Sequence, residues 1–152
     1  MKRNSKMLLQ HSMHADGYTK VDLELNAIEQ FTIALRYCHN TLNMILDTGA
    51  SSTVVAIDRA RELDFQLETL SIAGAGVGTS AAGVFKLPTN TVHLGDVAVR
   101  DLPLYAMDLS HVNDALGERG ASTVDGVVGM DLLTTLNAVL SVRDHVLYLH
   151  QV

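Results

Sequence analysis

Short apolar stretches separated by turn residues constrain the fold of this chain more than any other feature. From Val21 to Asn26 apolar and polar residues alternate, and residues 31–37 repeat the alternation. A period of two is that of a strand with one buried face. Gly, Pro, Asn and Asp interrupt these stretches at intervals of roughly 8–12 residues, a spacing typical of β-sandwiches and barrels. The sequence therefore predicts an all-β fold.

Length and composition indicate a single domain. The 152 residues are close to the usual size of one domain, and 47% of them are hydrophobic against 18% charged, as in globular proteins. We expect residues 18–152 to form the domain, and residues 1–17, which are polar and show no period, to form a loose N-terminal arm. Residues 57–63, 110–116 and 130–136 are candidates for the one or two short helices expected beside the strands.

The charge balance argues against two classes of partner. With 11 basic and 17 acidic residues, the net charge is −6, so we expect neither nucleic acid nor an anionic membrane surface as a partner. The basic start is followed by only Met7, Leu8 and Leu9, fewer than the roughly 7–15 apolar residues of a secretory signal. No run approaches the roughly 18 apolar residues of a membrane span. We therefore expect a soluble chain, and the sequence leaves its compartment open. As it stands the chain would be cytoplasmic, and it would be periplasmic or exported if a signal was removed.

The sharpest local signal is an apolar strand that ends in an acid. Residues 44–46 (Met-Ile-Leu) are apolar on both faces, as in a fully buried strand, and lead directly into Asp47, Thr48 and Gly49. A carboxylate at the end of a buried strand costs free energy unless it is paired, hydrogen-bonded or protonated. An acid at this position therefore points to a specific role.

Two segments farther along the chain complete a pattern. Residues 74–83 carry four glycines among small residues, which predicts a pliable hairpin tip. Residues 126–129 (Gly-Val-Val-Gly) read as the end of a buried strand, and a short helix is predicted to begin at Met130.

These segments together resemble the retropepsin-like aspartic proteases. The resemblance rests on residues 44–51 and 127–131, in the right order with the glycine-rich hairpin between them, and covers roughly residues 31–149. Retroviral members usually have Arg after the glycine of the second motif, where this chain has Met130 and Asp131. The similarity is therefore to the bacterial and cellular branch of the family.

The resemblance implies a closed acid-protease barrel and the hydrolysis of peptide bonds by water. Asp47 would be the catalytic acid, and Thr48 would lock two active-site loops together across a two-fold axis. Gly49 would let the backbone approach the substrate, and Ala50 would line a substrate pocket. The resemblance implies no cofactor and no metal ion.

The resemblance also assigns roles to the two other segments. Residues 74–83 would form a flap hairpin that folds over an extended peptide, with Gly74, Gly76 and Gly78 as substrate-binding positions. Val128 and Gly129 would form a structural second motif.

One Asp-Thr-Gly motif in 152 residues leaves the catalytic machinery half complete. Two adjacent carboxylates that share a proton can activate water and protonate the carbonyl oxygen of a peptide bond. The second carboxylate would have to come from a second copy, related by a two-fold axis that passes between the two Asp47 side chains. We therefore expect a homodimeric endopeptidase acting on extended peptides or proteins.

Two alternatives stay open. The chain could be a retropepsin-like module that dimerises or binds peptides without cleaving them, or an ordinary monomeric β-sandwich with a chance motif. Cys38 is the only cysteine, which excludes an intrachain disulfide. We expect Asp125 and Asp131 to form structural hydrogen bonds, and His11 and His14 to be surface residues.

Overall fold

The structure is a computed structural model that describes residues 2–70 and 83–151. The helices in this part of the chain are α1 (Lys2–Ala15), α2 (Ile57–Glu62), α3 (Ser110–Glu118) and α4 (Met130–Thr135). The strands are β1 (Thr19–Asp22), β2 (Glu24–Leu25), β3 (Phe31–Tyr37), β4 (Asn40–Leu46), β5 (Val54–Ala56), β6 (Glu68–Thr69), β7 (Phe85–Lys86), β8 (Val92–Leu94), β9 (Val97–Val99), β10 (Tyr105–Met107), β11 (Gly126–Val128), β12 (Val139–Ser141) and β13 (Val146–Leu149).

The strands form two sheets. The larger sheet follows the order β6-β7-β10-β5-β11-β4-β3-β8-β9, and β2 adds to it by pairing with β3. The smaller sheet has the order β1-β13-β12. Most neighbours are antiparallel, but β11 runs parallel to β4, and β10 runs parallel to β5. The prediction of a mostly β fold is confirmed, and β11 lies between β4 and β5 at the centre of the larger sheet.

The apolar alternation seen in the sequence forms the core. In β3, Ile33 and Leu35 are buried while Ala34 and Arg36 are exposed. In β4, Met44 packs into the main hydrophobic cluster, and its neighbour Ile45 packs into a separate cluster on the opposite side. The strand that leads to Asp47 is therefore covered on both faces, as its sequence predicts.

The N-terminal segment differs from the expectation of a loose arm, because residues 2–15 form a regular helix. No Gly or Pro interrupts it, and Leu9 and Met13, one turn apart, are half-buried. With only this narrow apolar stripe, the helical period was too weak to recognise. Among the described helices, none is long and apolar enough to cross a membrane. The division of the chain at residues 17 and 18 stays a prediction.

All three candidate helical stretches are helices. Helix α3 extends two residues beyond the predicted range of 110–116, to Glu118. The left-handed residue that ends it is Gly120, at φ +77°, and the N–H of Ala121 donates to the carbonyl of Leu116. In the β3–β4 turn, Cys38 and His39 adopt positive φ.

Candidate active site

Asp47 follows directly after β4, at the centre of the larger sheet. Its N–H donates a hydrogen bond to the carbonyl of Val128 at 3.0 Å, which continues the parallel pairing of β4 with β11. Val128 itself is fully buried. The Asp-Thr-Gly motif at residues 47–49 and the second motif, Val128 and Gly129, are therefore neighbours in space, joined by a backbone hydrogen bond.

The turn after β4 holds the carboxylate of Asp47 in one orientation. Oδ1 of Asp47 accepts a hydrogen bond from the N–H of Gly49 at 2.8 Å, and the N–H of Ala50 donates to the carbonyl of Asp47 at 3.2 Å. A Cβ atom at Gly49 would lie 3.1 Å from the same Oδ1 atom, a close contact for any side chain. Asp47, Thr48 and Gly49 are exposed in the single chain, while Ala50 is half-buried. The carboxylate therefore remains hydrated as well as hydrogen-bonded.

Gly129 allows the second motif to pack against the loop that follows Asp47. A Cβ atom here would lie 2.7 Å from the carbonyl carbon and oxygen of Ser52 and 2.9 Å from the carbonyl oxygen of Ala50. The next two N–H groups, those of Met130 and Asp131, donate to the carbonyls of Ala50 and Ser51 at 2.8 and 3.2 Å. Only glycine permits this approach, so the start of α4 is joined by backbone hydrogen bonds to the loop that follows Asp47.

A buried hydroxyl and a carboxylate fix the far end of the same loop. Thr53 is completely buried, and its N–H and Oγ1 both donate to the carboxylate of Asp131, at 2.9 and 2.7 Å. Thr53 Oγ1 also accepts the N–H of Gly129 at 3.1 Å. Asp131 thus forms the structural hydrogen bonds expected of it. Thr53 was not recognised from the sequence, where its only signal is a hydroxyl beside the apolar strand β5.

Asp125 joins the strand β4 to the helix α2. Its Oδ2 accepts the N–H of Asn43 at 2.8 Å, and its Oδ1 lies 3.1 Å from Nε of Arg59 in α2. Both carboxylate oxygens are therefore engaged, which agrees with the structural role expected from the sequence.

An apolar cavity of about 320 Å³ opens beside the turn. Thr48 lines it, and the rest of its lining comes from the end of β4, from α4 and the two residues before β12, and from the β12–β13 hairpin. The lining residues are Leu46, Thr48, Met130, Leu133, Thr134, Asn137, Ala138, Leu140 and Leu147.

The sequence matches the aspartyl protease family over residues 33–132, which is about two thirds of the chain and includes both motifs. The chain belongs to the aspartyl protease family. No protein of curated function matches the sequence significantly.

Solved structures show the same fold for this aspartyl protease family member. A retropepsin-like aspartic protease from Rickettsia conorii is 20% identical, with a TM-score of 0.56 over 87% of this chain and 90% of the other. The retroviral protease-like domain of Ddi1 from Leishmania major is 12% identical, with a TM-score of 0.52 over 81% of this chain and 90% of the other. These similarities confirm the retropepsin-like fold.

The predicted flap of this aspartyl protease family member falls on residues that the structure does not describe. Gly74, Gly76 and Gly78 all lie outside the described ranges. The strands on either side of the segment, β6 and β7, pair antiparallel with Thr69 opposite Phe85, which is the geometry of a hairpin base. Residues 2–70 and 83–151 contain no group of three His, Cys, Asp or Glu placed to hold a metal ion.

Proposed function

We propose that this chain is an aspartic endopeptidase whose active site contains Asp47 from each of two copies. The observation that carries the proposal is the state of Asp47: a hydrogen-bonded carboxylate, exposed at the end of a strand buried on both faces. A loop fixed at both ends would hold that carboxylate still while a substrate reacts.

The chemistry needs two carboxyl groups with different protonation. One carboxylate takes a proton from water as the water attacks the peptide carbonyl carbon, and the other, protonated, donates to the carbonyl oxygen. Two such groups a few ångströms apart repel each other as anions, so the pair retains one proton and titrates as a unit. The dyad thus holds both protonation states at one pH.

A second copy supplies the second carboxyl group in this proposal. The carboxylates of the two other acids beside the second motif already have partners within this chain. Asp131 accepts hydrogen bonds from Thr53. Asp125 accepts one from Asn43 and forms an ion pair with Arg59. The sequence contains one Asp-Thr-Gly motif. A homodimer with a two-fold axis between the Asp47 side chains provides identical acids without any further motif.

An extended peptide is the substrate that suits this arrangement. The segment between β6 and β7 would cover the peptide as a flap, with backbone groups of Gly74, Gly76 and Gly78 pairing with it in β-strand fashion. Ala50, which packs with the small apolar cluster around Val127, would line a side-chain pocket.

Peptide hydrolysis by the wild type and Asp47→Asn tests the proposal. A mixture of unstructured peptides is incubated with each protein from mildly acidic to neutral pH, and the products are identified by mass spectrometry. We expect the substitution to reduce cleavage at least roughly 10²–10⁴-fold, because it removes the general acid and base. Asp114→Asn, a matched change at an exposed acid in α3, should leave cleavage unchanged.

Other outcomes of that assay would contradict the proposal. Equal cleavage by the wild type and by Asp47→Asn would exclude the dyad. Peptide binding by the wild type without cleavage, insensitive to a statine-type inhibitor, would identify a non-catalytic peptide-binding module instead.

A further inference from the structure

Another cavity, of about 330 Å³, lies beside the turn that joins β3 to β4. Strand β4 begins at this turn and ends next to Asp47. At roughly 3.4 Å per residue, its seven residues separate the turn from Asp47 by about 20 Å. The cavity is therefore distinct from the proposed active site.

The lining of this cavity is basic although the chain is acidic. Arg36, His39 and His93 line it, and among the described residues no Asp or Glu does. Arg59 and Arg143 each form an ion pair with an acid, whereas Arg36 forms none within the described part of the chain. In a chain of net charge −6, a cavity with only basic side chains is a place that attracts anions.

Two of these basic side chains are direct neighbours across the larger sheet. Strands β3 and β8 pair antiparallel with Arg36 opposite His93 and Leu35 opposite Leu94. Both leucines are buried, so Arg36 and His93 lie together on the outer face of the sheet. Side chains in such a pair are roughly 5 Å apart, and like charges there are destabilising. An anion bound between Arg36 and a protonated His93 would offset that repulsion.

The third basic side chain comes from a strained turn. Cys38 and His39 have φ of 47° and 66°, the left-handed backbone of a two-residue hairpin turn that usually consists of Asn and Gly. This conformation costs free energy for any side chain with a Cβ atom, and strain of this kind clusters at functional sites. Within the described chain, the rings of His39 and His93 have no hydrogen-bond or ion-pair partner, so their N–H groups are available to a ligand.

Hydrogen bonds within the chain fix the wall of the cavity. Nδ2 of Asn90 donates to Sγ of Cys38 at 3.0 Å, and the N–H of Thr91 donates to Oδ1 of Asn90 at 2.7 Å. The hydroxyl of Tyr37 donates to the carbonyl of Pro88 at 2.6 Å. These bonds join the turn to the segment before β8. A ligand that enters the cavity therefore has little backbone to order, which favours binding.

We propose that this cavity binds a small oxyanion with the size and charge of phosphate, held by Arg36, His39 and His93. A guanidinium offers paired N–H donors that match two oxygens of a phosphate group. The one hydrogen bond of the Arg36 guanidinium within the described chain, to the carbonyl of Gly95, is long at 3.4 Å. Ligand pockets usually enclose roughly 300–1,000 Å³, so a cavity of about 330 Å³ also has room for a phosphate monoester.

An NMR titration of the full chain with sodium phosphate tests the proposal. The titration is made at mildly acidic pH, where imidazoles carry charge, and sodium chloride at the same ionic strength is the control. We expect saturable shifts of the amide signals of residues 36–39 and 90–93 with phosphate alone. Glycerol phosphate, titrated in the same way, distinguishes the two sources of the group. Tighter binding of the ester identifies a monoester as the ligand, and equal or weaker binding identifies free phosphate.

Variants test which side chains hold the anion. Arg36→Gln should raise the dissociation constant of phosphate at least roughly tenfold, because it removes the charged donor. Arg119→Gln removes the same charge at an exposed residue after α3 and should leave the constant unchanged.

His39→Gly should change binding and stability in opposite directions. Glycine adopts the left-handed backbone without strain, so the Tm should rise. The loss of the imidazole should nevertheless raise the dissociation constant of phosphate severalfold. A residue with a purely structural role in the turn would not show this opposition.

Three results would overturn the site. They are shifts that grow linearly without saturation, shifts that sodium chloride reproduces, and equal weakening by Arg36→Gln and Arg119→Gln. Circular dichroism verifies that each variant is folded. If Arg36→Gln is unfolded, His39→Gly and His93→Gln decide, and wild-type affinity in both excludes the site. None of these measurements involves Asp47, so the proposed peptidase activity stands or falls separately.

Discussion

Two regions beside the same cavity, the loop of residues 47–53 and the strand β12, are held to different extents by the rest of the chain. The loop is held within its own chain, by backbone bonds to the start of α4 and by the buried contact between Thr53 and Asp131. Strand β12 is paired along one edge and exposes Val139. One chain therefore fixes the position of Asp47 by itself, and in the proposed active site the second acid would come from another copy.

Gly129→Ala should destabilise the loop of residues 47–53 more than any other change considered below. The new methyl group would meet the backbone of Ser52 and Ala50 at less than 3.0 Å, and backbone atoms cannot move aside as a flexible side chain can. We expect a loss of about 2–4 kcal/mol in the free energy of unfolding, measured by urea denaturation.

The matched control for Gly129→Ala is Gly117→Ala. Gly117 lies within α3, and a Cβ atom there would have no neighbour within 4 Å. This variant should gain roughly 0.5–1 kcal/mol, since Ala is the better helix former. If both variants lose stability equally, the close approach of Gly129 to Ser52 and Ala50 is not the cause of the loss.

Thr53→Val should loosen the loop while preserving the volume of the side chain. It removes the donor to Asp131 Oδ1 and the acceptor for the N–H of Gly129, leaving buried polar groups unsatisfied. We expect a cost of about 1–3 kcal/mol and a fall in kcat larger than any change in KM, because the acid is displaced rather than the substrate pocket.

Thr53→Ser is the control for that experiment, because it keeps the hydroxyl and removes only a methyl group. It should retain most of the activity and lose about 1 kcal/mol of stability. A Thr53→Val protein with unchanged kcat would show that this contact does not position Asp47.

Only part of this site could be predicted from the sequence. The motif at Asp47 and the glycine at residue 129 are short local patterns, and the family resemblance linked them. The contact between Thr53 and Asp131 joins residues 78 positions apart and has no local signature. Helix α1 could not be predicted because its apolar stripe is narrow.

The proposed two-copy site predicts that activity depends on protein concentration. Specific activity of the wild type should fall at low protein concentration and recover at high concentration, because the site would be complete only in the dimer. An enzyme assay over a dilution series measures this. Activity that is independent of concentration would contradict a dimeric site.

The smallest effect is expected at the turn that joins β12 to β13. Hydrogen bonds from the Arg143 guanidinium, and a further one from the Ser141 hydroxyl, hold the pKa of the Asp144 carboxyl below its usual range. A carboxyl whose pKa is lowered by folding adds stability above the pKa it has in the unfolded chain, and that stability disappears as the pH falls through the folded value. Asp144→Asn should therefore lower the Tm slightly at neutral pH and not at strongly acidic pH, measured by thermal denaturation across that range. A Tm difference that persists at the acid end would show that the turn depends on the shape of the Asp144 side chain and not on its charge.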